Sequence, residues 1–198
     1  KIRLNALPMQ ESNMITDDTI KIFAENDYTK VKQFFDQFID AKIYGSIIKV
    51  QDFDKEYYRN KFEQFKKSGK LAVHTHSDLI EQILHQAEIL SQEYDVSVAN
   101  PPYLNSSRMP DELKKFVKDN YPNTKSDLFS VFIQLLLERT KKNGQVGMVT
   151  PFVWMFIKTY EWLREHIVKD KNISSLIQLE YNAFPAACVP ACTFTIRN

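Results

Sequence analysis

The stretch Tyr94-Asp95-Val96-Ser97-Val98-Ala99-Asn100-Pro101-Pro102-Tyr103 decides how the rest of the chain is read. Its first six residues form an acidic-led, largely apolar run of strand character. Two successive prolines must end that run, because neither can donate a hydrogen bond to a ladder. Residues 94–99 are therefore expected as a strand, with Asn100 just beyond its carboxyl end. Downstream, Ser126-Asp127 opens a long apolar helix to Lys142, closed by Asn143-Gly144. Residues 145–150 form a strand ending at Pro151, residues 159–169 a helix, and residues 173–179 and 192–196 two more strands. Upstream, Asp78 caps a helix with Leu79, Ile80, Ile83, Leu84, Ala87 and Leu90 in the apolar positions. Helix–strand alternation of this kind predicts an α/β fold with a mostly parallel sheet covered by helices on both faces. Ligands of such sheets sit beyond the carboxyl ends of the strands, where Asn100 falls.

The pattern weakens before residue 77. Thr16-Asp17-Asp18 starts a helix, and residues 30–41 place Val31, Phe34, Phe35, Phe38 and Ile39 on one stripe. Gly45-Ser46 turns the chain into Ile47-Ile48-Lys49-Val50, which reads as a short strand ending at Gln51-Asp52-Phe53-Asp54. A polar helix carrying Tyr57, Tyr58, Phe62 and Phe65 follows and stops near Ser68-Gly69. The expected division is thus 1–77, helical and irregular with one short strand, against 78–198, strongly periodic. At 43% hydrophobic and 13% aromatic residues the chain is globular rather than disordered. It has no apolar run of membrane-span length and no signal-peptide core at its start. Cys188 and Cys192, four apart on an apolar stretch, read as buried thiols suited to a reducing cytosol. A formal charge of +1 advertises no global nucleic-acid-binding field, so DNA contact would need a local basic patch.

Asn100-Pro101-Pro102-Tyr103 has a chemistry of its own. The exocyclic N6 of adenine is a poor nucleophile, because its lone pair is delocalised into the ring. Two acceptors fixed around its hydrogens favour a pyramidal nitrogen with the lone pair aimed outward. Asn100 supplies a side-chain carbonyl and Pro101 a backbone carbonyl, and the two prolines restrict the backbone so that both stand in place beforehand. Tyr103 offers a ring for the base to stack on, a contact worth roughly 1–3 kcal/mol. The base reaches such a site only by leaving the duplex. The bland alternative is a proline turn that merely terminates a strand.

From these residues onward the chain resembles the amino-methyltransferases that modify adenine N6 in DNA. Within them it is similar to the large single-chain enzymes of BREX (phage-growth-limitation) defence and to the fused restriction–methylation enzymes. The resemblance rests on the loop itself, on Lys125-Ser126-Asp127-Leu128-Phe129-Ser130-Val131-Phe132, and on Asn143-Gly144-Gln145-Val146-Gly147-Met148-Val149-Thr150-Pro151. It continues in Ala183-Phe184-Pro185 leading into Thr193-Phe194-Thr195-Ile196, and covers at least half the chain in order. It implies an incomplete Rossmann-like S-adenosylmethionine-dependent methyltransferase domain acting on double-stranded DNA in the cytoplasm, in restriction–modification or alongside other phage-defence subunits. It implies that Asn100, Pro101, Pro102 and Tyr103 hold the flipped adenine, Asn100 lying also against the cofactor, and that Phe184 is the second ring on the base. Lys125 and Asp127 fall at the substrate side of the pocket or, for Asp127, simply at a helix start. The family's acidic-aromatic pair on the cofactor adenine matches Asp52 and Phe53.

The same family opens its sheet with an aromatic-x-Gly-x-Gly turn followed by a ribose-binding carboxylate. Only Gly45, Gly69, Gly144 and Gly147 occur here, no two of them within two residues of each other. An excised segment of a longer polypeptide, lacking half of the cofactor site and inactive by itself, is the expectation. The rival expectations are a non-catalytic DNA- or protein-binding module on this fold, and a relative acting on an RNA or protein amine. His74-Thr75-His76 lacks the companion ligands of a metal site and reads as a surface loop. The mixed charges from Arg108 to Lys125 read as a solvated face or a DNA-backbone contact.

Overall fold

The computed structural model describes residues 5–181 and 190–198, and the chain divides into two compact units, Lys1–Gln92 and Glu93–Asn198. The first unit is helical: α1 (Asp17–Ala24), α2 (Tyr28–Asp36), α3 (Ala41–Tyr44), α4 (Lys55–Lys67) and α5 (Leu71–Ser91). Side-chain oxygens start two of them. Thr16 accepts from the Thr19 amide at 3.3 Å and Asp54 from the Tyr57 amide at 3.0 Å, satisfying N–H groups that a first turn leaves open. Gly69 follows α4 with φ +64, the left-handed stop expected there. The core is aromatic: Phe34 lies 4.2 Å from the Tyr58 ring and 5.4 Å from Phe38, while Phe23 touches both Phe35 and Phe65 at 5.6 Å.

Four expectations for this unit change. Among the described residues 47–50 are not a strand: Gly45–Ile47 makes one turn of 3-10 helix, and buried Ile47 and Ile48 serve as packing for a helical core. The stripe over 30–41 is two helices, because the chain turns at 37–40 with Asp40 at φ 55. Phe38 stays buried through that turn while Ile39 swings outward. And α5 starts at Leu71, seven residues ahead of Asp78, so residue 77 lies inside a continuous helix. His74 and His76 are on that helix rather than in a loop, with His76 Nδ1 3.0 Å from the Thr19 hydroxyl, and no metal-binding cluster occurs among the described residues.

The second unit holds β1 (Tyr94–Ala99), α6 (Asp111–Asn120), α7 (Leu128–Arg139), β2 (Thr140–Pro151), α8 (Glu161–Asp170), β3 (Asn172–Gln178) and β4 (Ala191–Arg197). Sheet order is β1-β2-β4-β3. β1 runs parallel to β2, and β4 is antiparallel to both β2 and β3. Three of the four strands therefore point the same way, but β4 is reversed between β2 and β3, so the β1–β2 pair is parallel and the other two pairs of this mixed sheet are antiparallel. Val146, Met148, Cys192, Phe194 and Ile196 share one face and bury Phe129, Ile133 and Leu137 of α7 with Leu163 and Ile167 of α8. On the opposite face, where the sequence led us to expect covering helices, Val96 and Val98 are 61% and 76% exposed among the described residues. The helix before β2 ends at Arg139 rather than Lys142. Thr140 already pairs with Tyr94, and 141–144 loop out before Gln145 pairs with Val96.

Candidate functional site

Because β1 and β2 are parallel, their carboxyl ends lie at one edge, which brings 100–103 beside the end of β2. The Tyr103 hydroxyl lies 3.3 Å from the Val149 carbonyl oxygen and 3.4 Å from Asn100 Oδ1, so one proton serves two long, weak acceptors. Among the described residues this is the sole hydrogen bond of the Asn100 side chain, which is otherwise exposed with its carbonyl free to accept. Pro101 is buried and Pro102 exposed. The Tyr103 ring is 37% exposed, with Phe129 edge-on at 6.4 Å and 86°. Phe129 in turn meets Tyr160 at 5.3 Å. Burial pushes the Tyr103 phenol above its usual range, and Tyr160 is pushed up to about 12 by burial and then by the charge of Asp127. Both hydroxyls are therefore neutral across the physiological range.

The loop leaves Tyr103 through Leu104, which is held at both backbone atoms. Its amide donates to Asp127 Oδ1 at 3.0 Å, and its carbonyl accepts from the Leu128 amide at 3.0 Å. Asp127 also accepts from the Phe129 amide at 3.3 Å, capping α7. Burial raises the Asp127 carboxyl above its ordinary value, against the pull of the backbone N–H groups that face it. Sequence reasoning placed a helix start at Asp127 but missed its bond to Leu104, and missed Val149 and Phe129 as supports of Tyr103. The buried aspartate of Lys125-Ser126-Asp127 was the available signal. Lys125 is exposed.

Asp52 and Phe53 belong to the first unit. Asp52 is exposed at φ 51, and Phe53 stacks on Tyr58 at 5.5 Å and 12°. Both residues line a groove of about 1030 Å³ together with Lys30, Gln33 and Gln51. Phe184 lies outside the described residues.

The sequence model of the Eco57I restriction-modification methylases matches residues 10–184. The adenine-specific methyltransferase PglX of Lacticaseibacillus casei (strain Zhang) is 38% identical over 138 residues, 64% of this chain and 11% of that protein. The adenine-specific methyltransferase BrxX of Escherichia coli O9:H4 (strain HS) is 34% identical over 150 residues, 74% of this chain and 12% of its own. The type II methyltransferase M.HincII of Haemophilus influenzae is 28% identical over 90 residues, 43% of this chain and 18% of that one. The chain thus spans roughly a tenth of the first two relatives.

Proposed function

Because this chain belongs to the Eco57I restriction-modification methylase family, we propose that it carries the base-binding loop of an adenine-specific DNA methyltransferase using S-adenosylmethionine. When bound, that cofactor supplies a methyl group on a sulfonium centre. The exposed Asn100 carbonyl at the sheet edge, engaged only by one long bond from Tyr103, supports this reading above all else: an uncharged acceptor, on a loop two prolines stiffen, beside a half-open aromatic ring.

Asn100 Oδ1 and the Pro101 carbonyl accept the two N6 hydrogens of an adenine turned out of the duplex. The nitrogen lone pair is thereby withdrawn from the ring and turned outward, and the positive charge that N6 would carry after methylation, until one of its protons passes to solvent, meets oxygens already in place. Tyr103 stacks the base, with its ring angle set by Phe129 and its hydroxyl by Val149. Phe184 closes the other face of the base. Asp52 and Phe53, on the groove of the first unit, would hold the adenine of S-adenosylmethionine, the carboxylate as an acceptor for its amine and the ring as an apolar surface.

The partner is double-stranded DNA, the setting is phage defence or restriction–modification, with other defence subunits as companions, and the compartment is the cytoplasm. Among the described residues no helix is long and apolar enough to cross a membrane. The test is Asn100→Ala in the full methylase. Single-turnover N6-methyladenine formation is expected to fall by on the order of 10²–10³ or more with circular dichroism unchanged; methylation at the wild-type rate overturns the assignment.

A further inference from the structure

Asp127 makes more hydrogen bonds than a helix start needs. It is 8% exposed, and one oxygen, Oδ1, takes both the Phe129 amide of α7 and the Leu104 amide, 23 residues back in the chain. Around that atom the two segments are sewn together. The Leu128 amide donates to the Leu104 carbonyl at 3.0 Å, the Ser106 amide to the Ser126 carbonyl at 2.9 Å, and Asn105 and Asp127 form a bridge. Leu104 follows Tyr103 directly, and Phe129 is the ring that Tyr103 meets edge-on. A single carboxylate oxygen therefore holds the chain neighbour of Tyr103 and its spatial neighbour at once.

The geometry points to Asp127 as a positioning residue: it ties the exit of the 100–103 loop to the start of α7 and so sets the aromatic surface offered to the base. This rests on the base-binding role proposed for that loop. Capping α7 alone would leave the Leu104 amide untied, so that the carbonyl side of Leu104, the Phe129 ring and two hydroxyl bonds of 3.3 and 3.4 Å would set the position and tilt of Tyr103. The part-buried Leu104 bond is shorter, is made to a charged acceptor, and acts on backbone, so it restricts the loop where a hydroxyl cannot.

Capping and tying separate by side-chain length. In the full methylase, Asp127→Ser keeps an acceptor for the first turn of α7 but is too short for Leu104. Asp127→Glu reaches Leu104 but caps poorly, and Asp127→Asn retains both acceptor functions. The readouts are single-turnover methylation, KM for DNA, and the fluorescence of 2-aminopurine at the target adenine, which reports how the extrahelical base is stacked. Asparagine is expected within about threefold of wild type, glutamate next, and serine slowed at least tenfold in kcat with KM little changed and the 2-aminopurine signal altered. Serine matching asparagine in rate and fluorescence would reduce Asp127 to a cap and overturn the inference. Should the serine variant not fold, hydrogen exchange at the wild-type Leu104 amide decides: protection equal to that of Phe129 supports the tie, and exchange like a free loop amide refutes it. A wild-type enzyme that methylates no adenine fails the function proposed above instead, so the two failures are distinct.

Discussion

Tyr103 separates the work of a ring from that of a hydroxyl. Its hydroxyl contacts are long, so Tyr103→Phe is expected to cost less than about 1 kcal/mol in stability and to leave most methylation intact. Tyr103→Ala removes the ring proposed to stack the base, a contact worth roughly 1–3 kcal/mol, and is expected to weaken productive base binding on the order of ten- to a hundredfold in single-turnover assays. Equal losses in both variants would mean that the hydroxyl, not the ring, matters. Asp127 sets a pH dependence opposite to that of an ordinary paired aspartate. Its folded-state carboxyl titrates above 3.8, so in the interval above that value the folded chain holds more protons than the unfolded one. Stability from this group is thus greatest at low pH and falls as pH rises through the folded value. Urea unfolding across mildly acidic to neutral pH should show that falling component in the wild type and its loss in Asp127→Asn; an unchanged profile would count against the raised carboxyl.

Elements bring in constraints that no single side chain carries. Gly144 sits in the loop-out of β2, where an added Cβ would lie 2.6 Å from Thr140 Cγ2, 2.7 Å from the Asp95 carbonyl oxygen and 2.9 Å from the Lys141 carbonyl oxygen. Two of these are backbone, so the clash is not relieved by a rotamer change. Gly144→Ala is expected to destabilise by roughly 1–3 kcal/mol in denaturant titration, and a loss under about 0.5 kcal/mol would show that the bulge relaxes. The two faces of the sheet make a paired test. Val98→Thr on the open face should stay within about 0.5 kcal/mol, whereas Val146→Thr buries a hydroxyl among α7 side chains and should cost roughly 1–3 kcal/mol. At this scale the sequence was most legible where local chemistry punctuates it. Gly69 stops α4 nearly to the residue, Asp127 starts α7, and Pro101 ends β1. It was least legible where burial overrides pattern, as when Ile47 and Ile48 went into a helical core and α5 extended ahead of Asp78.

Over the whole molecule, the first unit carries its own aromatic core, in which Phe23, Phe34, Phe35, Phe38, Tyr58 and Phe65 are all buried. Residues 1–92 expressed alone are expected to melt cooperatively with a helical circular dichroism spectrum; a non-cooperative, gradual loss of signal would show that this core is insufficient. What the sequence by itself determined is the strand that runs into Asn100-Pro101-Pro102-Tyr103 and the restrained backbone and amide acceptor of that loop, because proline acts on its own backbone and an amide side chain brings its acceptor wherever it goes. Tertiary structure alone decided the rest: that β4 runs backwards between β2 and β3, that Val96 and Val98 face outward, and that Asp127 reaches Leu104. Each of these depends on which distant segment arrives alongside, and hydrogen bonds between residues tens of positions apart leave no period in a sequence.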